Sequence, residues 1–168
     1  MSTFIHPTAE VDPSALIGDG CAIWNWTKVR EGAVLGAGTS LGQGVYIDHD
    51  VRLGIGCKVQ NGVSVFHGVT CGDHVFLGPN MMFTNDLFPR AAAGHSWTVV
   101  PTRVEDHVSI GAGATIVCGV TLGRGCMIGA GAGAVVTRDV PELALVTGNP
   151  ARVVGGVDLE GRRTDRSG

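Results

Sequence analysis

The chain has 168 residues, the length of one domain rather than two. Its 44% hydrophobic content comes with only 5% aromatics and 27 glycines, which disfavours a helical bundle and requires a core of small branched side chains between frequent tight corners. A formal net charge of −3 leaves no basic surplus for nucleic acid or an anionic membrane, and no apolar run is long enough to cross a bilayer. At the amino terminus, MSTFIHPTAEVDPS has no cationic stretch before an apolar one, so the expected location is cytoplasmic. Five cysteines, Cys21, Cys57, Cys71, Cys118 and Cys126, form no C-x-x-C pair and are odd in number, which fits reduced structural thiols.

From Ile5 onward an apolar residue recurs every six positions: Ile5, Val11, Ile17, Ile23, Val29, Leu35, Leu41, Ile47, Leu53, Val59, Val65, Cys71, Leu77 and Phe83. The series resumes in a new phase with Val104, Ile110, Ile116, Leu122, Ile128, Ala134, Val140 and Val146. The fourth residue after each anchor is also small or branched, as in Ala15, Cys21, Thr27, Ala33, Thr39, Val45, Val51, Cys57 and Val63, so both positions point inward. Glycines at fixed offsets, as in Leu35-Gly36-Ala37-Gly38 and Ile110-Gly111-Ala112-Gly113, suit corners closed to other residues. Neither helical periodicity nor strand alternation gives a period of six. Each hexad is a short strand plus a turn, and three hexads make a triangular coil that stacks in parallel on the next, an all-β solenoid stabilised by its neighbours.

Between Phe83 and Val104 the phase breaks, which predicts a loop extruded over about 84–97; long excursions from minimal repeats usually carry function. The region from Val140 to Gly156 departs from clean hexads and should cap the open end irregularly. The expected division is a β-helix domain over 1–156 and a polar, disordered tail over 157–168.

Several segments together resemble a known family: Ile23-Trp24, VQNGVSVFHGVT from Val59 to Thr70, GPNMMFTNDLFPR from Gly78 to Arg90, IVCGVTLG from Ile116 to Gly123, and GNPARVVG from Gly148 to Gly155. These are similar to the hexapeptide-repeat acyltransferases, and within them to the N-acetyltransferases of nucleotide-linked 3-amino sugars used in O-antigen and related glycans. The resemblance implies a left-handed parallel β-helix, a hand that departs from the usual crossover rule. It also implies a homotrimer with active sites between subunits and acetyl-coenzyme A as co-substrate, with no metal. Backbone groups around Gly111, Ala112, Gly129 and Ala130 would hold the pantetheine arm, and Asn149, Pro150 and Arg152 would lie near the adenine. Asn85, the family's FTN asparagine, would orient the acceptor amine; a structural turn role is its alternative.

Independently of the family, stacking puts His49, His67 and Asn85 in one column on successive coils. His67 is then a candidate general base, because imidazole changes charge near neutral pH; the family commonly has an acidic residue there. Candidate acceptor contacts are Arg30, His49, Gln60, Asn61, Asp86 and Arg90, since arginine's planar fork suits a diphosphate or carboxylate. Arg30 has an alternative, an ion pair with Asp12 and Asp48 in its own column. Trp24 and Trp26 stack on a base or cover a subunit face. His6, His74 and His107 read as surface residues, and His95 sits in the loop. Two rival functions are a zinc carbonic anhydrase of the same prism shape, which needs three imidazoles on one metal and a close histidine pair absent here, and a non-catalytic trimeric scaffold.

Overall fold

The computed structural model describes residues 2–91, 98–130 and 133–164. Among these there is no helix: two- and three-residue strands follow one another around a triangular prism and stack into three sheets, a parallel β-helix. The first face carries Phe4–Ile5, Ala22–Ile23, Ser40–Leu41, Lys58–Val59, Phe76–Leu77, Ser109–Ile110 and Met127–Ile128. The second carries Glu10–Val11, Lys28–Val29, Tyr46–Ile47, Ser64–Val65, Met82–Phe83, Thr115–Ile116 and Val135–Val136. The third carries Leu16–Ile17, Val34–Leu35, Arg52–Leu53, Val69–Cys71, Thr102–Val104 and Thr121–Leu122.

In each two-residue strand the second residue points in and the first points out. Ile23, Leu41, Ile47, Leu77, Ile110, Ile116 and Leu122 are fully buried anchors, and Cys21, Val45, Val63, Val108 and Cys126 fill the second inward slot. Where that slot is polar it is satisfied: the Thr27 and Thr39 hydroxyls donate to the carbonyls of Gly42 and Gly54, both at 2.9 Å, and the Cys21 and Cys57 thiols to those of Gly36 and Gly72 at 3.3 Å. Burial pushes the Cys126 thiol up to about 12 and raises Cys57 and Cys71 as well, so these sulfurs stay protonated and unreactive. At the amino-terminal coil no described residue covers the prism, and Ile5 is 44% exposed although it belongs to the same ladder.

The extruded loop leaves the coil stack unbroken. Val69 pairs with Thr102 and Cys71 with Val104, so the chain resumes in register after a coil of 33 residues instead of 18. The loop's neck is tied by the Val100 N–H donating to Asn85 O at 3.3 Å, and by Val99 and Val100 lying over Gly68 and Gly119, where a Cβ would meet them. The loop is described as far as Ala91 and again from Thr98; His95 and Trp97 lie outside the described residues.

Two expectations are corrected. Ile116 pairs with Val136, not with Ala134, while Leu122 bridges Val140. Ala134 occupies the second inward slot above Ala114, and the hexad pattern cannot tell the two slots apart because both face inward. At the carboxyl end, the region expected to cap the prism irregularly carries Ala144–Thr147, which continues the first face, and Arg152–Val157, which adds to it antiparallel; within the segment expected as a polar tail over 157–168, Arg163–Thr164 adds one more antiparallel strand. Asp158 holds the turn by accepting from the Arg162 N–H at 2.9 Å and its side chain at 2.8 Å. Apolar contacts of Leu159 and Met127 around Gly125 and Gly161 seat this hairpin, which supplies what charge patterning alone concealed. Residues 165–168 lie outside the described set.

Candidate active site

The second edge, where the second face turns into the third, carries Asp48-His49-Asp50, Phe66-His67-Gly68 and Thr84-Asn85 on successive rungs. The predicted column forms. The His49 and His67 rings stack at 4.0 Å with 9° between their planes, and the Asn85 side-chain amide donates to His67 O at 3.3 Å.

The hydrogen bonds fix which ring nitrogens carry protons. His67 Nδ1 lies 3.0 Å from His49 O, and a carbonyl can only accept, so Nδ1 is the donor. His49 Nδ1 lies 3.0 Å from Asp48 Oδ1, an ionised carboxylate, and is a donor for the same reason. When neutral, both imidazoles therefore carry a lone pair on Nε2. Asn85 spends its amide N–H on the rung below and has no partner on Oδ1 among the described residues. One edge thus offers a free amide oxygen and a free imidazole nitrogen one rung apart, about 4.8 Å along the stack.

Asp48 organises this edge. It is 7% exposed and is the buried charged residue among those described. Its Oδ1 accepts from Arg30 Nη1 at 2.8 Å, the Tyr46 hydroxyl at 3.0 Å and the His49 N–H at 2.9 Å, and its Oδ2 from the His67 N–H at 3.1 Å. Burial alone would raise its pKa; the bonds from the His67 and His49 N–H groups, the His49 ring and Tyr46 outweigh that and pull it down to about 2. The sequence signals this residue only by its place in Arg30's column. Tyr46 carries no such signal, because on a strand it reads as one more outward residue.

Arg30 is bound into the protomer: besides Asp48 it pairs with Glu31 at 2.6 Å. Asp12, the other expected partner, instead accepts from the Ser14 N–H and hydroxyl at 2.8 and 2.6 Å. Gln60 and Asn61 are not on this edge. They stand on the first edge, between the first and second faces, beside Trp24, Asn25 and Gln43, where Asn61 Oδ1 accepts from the Gln43 N–H at 2.9 Å. Asp86 Oδ1 accepts from the Phe88 N–H at 2.8 Å, and Arg90 donates to Pro89 O at 2.8 Å, so both serve the loop's own turns. His74 and His107, expected as isolated surface residues, stack at 5.2 Å on the third edge.

The residues the resemblance assigns to the coenzyme share the first edge. Gly111-Ala112 and Gly129-Ala130 are successive rungs, and Gly148 through Arg152 continues past them, with the Val135 N–H donating to Gly148 O at 3.1 Å and the Ala151 N–H to Val135 O at 2.9 Å. The glycines have a structural reason as well: a Cβ on Gly111 would run into the Ala130 backbone, and one on Gly78 would come within 2.6 Å of the Ala112 nitrogen. His49, Asp50 and His67 each offer a ligand atom within 4.8 Å of the others, the one such trio among the described residues. The His67 nitrogen nearest Asp50, at 4.0 Å, is the one already donating to His49 O, which weakens the trio as a cation cage.

Residues 101–135 match the family described as bacterial transferase hexapeptide (six repeats). Among solved structures, the chain is 28% identical to the acetyltransferase domain of PglB from Neisseria gonorrhoeae in complex with acetyl coenzyme A, with a TM-score of 0.53 over 90% of this chain and 57% of that one. A hexapeptide-repeat acetyltransferase from Vibrio cholerae, also in complex with acetyl coenzyme A, matches at 28% identity and a TM-score of 0.53 over 76% of this chain and 72% of that one. Among curated sequences, the 2,3,4,5-tetrahydropyridine-2,6-dicarboxylate N-acetyltransferase of Staphylococcus aureus is 39% identical over 85 residues, 51% of this chain and 32% of that protein. The matched segment thus spans about a third of that relative's length. No helix among the described residues is long and apolar enough to cross a membrane.

Proposed function

We propose that this protein is an N-acetyltransferase that moves an acetyl group from acetyl-coenzyme A to the amine of a nucleotide-linked amino sugar, a UDP- or dTDP-linked 3-amino sugar, in the cytoplasmic assembly of lipopolysaccharide or a related glycan. The observation that carries the chemistry is the Asn85–His67 pair. A free amide oxygen is suited to accept from the attacking amine, and an imidazole of fixed tautomer presents Nε2 to take its proton. In the reaction the amine nitrogen bonds to the thioester carbonyl carbon, the carbon–sulfur bond breaks, and the ammonium proton passes to His67 and then to the released thiolate. A sugar amine is nucleophilic once neutral, so alignment supplies much of the rate.

The geometry supports a site shared between subunits. The coenzyme residues stand on the first edge and Asn85 on the second, one whole face apart, up to about 20 Å at 3.3 Å per residue. A thioester lying along one protomer's first edge needs another protomer's second edge beside it, which a heterologous contact closing into a ring of three provides. Incubating the protein with acetyl-coenzyme A and a panel of UDP- and dTDP-linked amino sugars, while following free thiol, tests the reading. Thiol release dependent on one of these amines supports it, and no release with any of them favours a scaffold. The His49, Asp50 and His67 trio keeps the zinc lyase as a second reading, which stoichiometric zinc together with carbon dioxide hydration would establish.

A further inference from the structure

The third face borders the Asn85–His67 edge directly, because the chain runs from His67 to Thr70 in three residues, about 10 Å. Its outward column changes character along the stack. It is apolar at Leu16 and Val34 and then reads Arg52, Thr70, Arg103 and Thr121, in register on successive rungs. Arg52, Thr70 and Arg103 are exposed and line one groove of about 450 Å³, with Arg124 at its far side.

Among the described residues, Arg52 and Arg103 differ from Arg30, Arg124 and Arg162 in having no acidic partner. Arg30 is held by Asp48 and Glu31, Arg162 by Asp158 and Glu160, and Arg124 approaches Glu142 at 3.6 Å. Among the described residues Arg52 and Arg103 make no ion pair and no side-chain hydrogen bond. The two acids in the groove accept from backbone groups rather than from either arginine: Glu105 from the Arg124 N–H at 2.9 Å and Asp106 from the Asp73 N–H at 2.9 Å. Two unspent guanidinium forks on rungs two apart, with a hydroxyl on the rung between, present donors that match the spread oxygens of a diphosphate.

We propose that Arg52, Thr70 and Arg103 form a binding site for a diphosphate group, taking over the anion-binding role that Arg30 cannot fill while it is paired with Asp48. This deepens the acyl-transfer reading and rests on it for the identity of the ligand. In that reading the diphosphate is the acceptor nucleotide's or the coenzyme's, and the site's distance from Asn85 suits an acceptor whose sugar lies on the edge while its diphosphate reaches back over the third face.

Inorganic pyrophosphate is the direct probe. Calorimetric titration of the intact protein should show binding that weakens as ionic strength rises, and Arg52→Ala combined with Arg103→Ala should lower the affinity by at least about tenfold without changing the melting temperature, since both side chains are exposed. In turnover assays a raised KM for the nucleotide sugar at constant KM for acetyl-coenzyme A assigns the site to the acceptor, and the converse assigns it to the coenzyme. Pyrophosphate affinity that is absent in the wild type or unchanged in the double variant overturns the site, as does turnover in which neither KM moves. If pyrophosphate binding depends on the two arginines but no amine is ever acetylated, the acyl-transfer reading fails while the diphosphate site stands.

Discussion

At the residue scale, three side chains carry separable predictions. Asn85→Ala removes the amide oxygen offered to the amine and should lower turnover by about 100-fold or more, by analogy with the loss of a preorganised polar group in acyl transfer, while sedimentation shows an unchanged assembly; undiminished turnover removes Asn85 from the chemistry. His67→Asn keeps a polar side chain on the rung but cannot take a proton, so the pH–rate profile should lose its dependence on a base, and an unaltered profile would exclude His67 from proton transfer. Asp48 belongs to stability as much as to the site. Its pKa is depressed from 3.8 to about 2, so its contribution is complete above pH 3.8 and is lost as the pH falls through about 2. The stability gap between the wild type and Asp48→Asn, roughly 2 kcal/mol from this shift, should therefore close across that acid window in denaturant titrations and stay constant from pH 5 to 7.

At the element scale, the unit is the rung, and its corners set what can be substituted. Gly111 lies where the next coil's backbone passes, so Gly111→Ala forces a Cβ against Ala130 and should cost about 1–3 kcal/mol, read from chemical melts. The same substitution on Gly113, where a Cβ meets nothing within 4 Å, is strained instead by its left-handed φ of 68°. The extruded loop behaves differently. Its ends are joined by the Val100–Asn85 bond and the stack closes in register beneath it, so replacing the loop's outer residues by a short turn should leave melting nearly unchanged while acceptor use collapses. The column of His49, His67 and Asn85 could be read from spacing alone, because parallel stacking repeats every 18 residues wherever nothing is inserted. The position of Gln60 and Asn61 was just as readable in principle. They are the glutamine and asparagine of the VQN motif that carries the resemblance, yet spacing puts them one corner away from His67.

At the scale of the whole molecule, the prism separates the proposed coenzyme edge from the proposed acceptor edge. A subunit-mixing test follows: Asn85→Ala and Ala130→Trp variants, each inactive alone, should regain part of the wild-type turnover when unfolded and reassembled together, because some mixed interfaces pair an intact Asn85 edge with an intact coenzyme edge. No recovery, with mixed assemblies demonstrated by mass spectrometry, would place both edges' functions within one protomer.

The sequence by itself determined the β-helix, its inward ladders and the vertical alignment on its edges, because a six-residue apolar period admits one way of burying every anchor. Tertiary structure decided what the period leaves degenerate: which inward slot Ala134 fills, that 157–164 fold back as a hairpin, and which charges are spent. Arg30 and Arg52 look alike as letters. One is held by a buried carboxylate and the other is not, and that difference exists only once the coils have stacked and the chain has brought Asp48 beneath its neighbours' N–H groups.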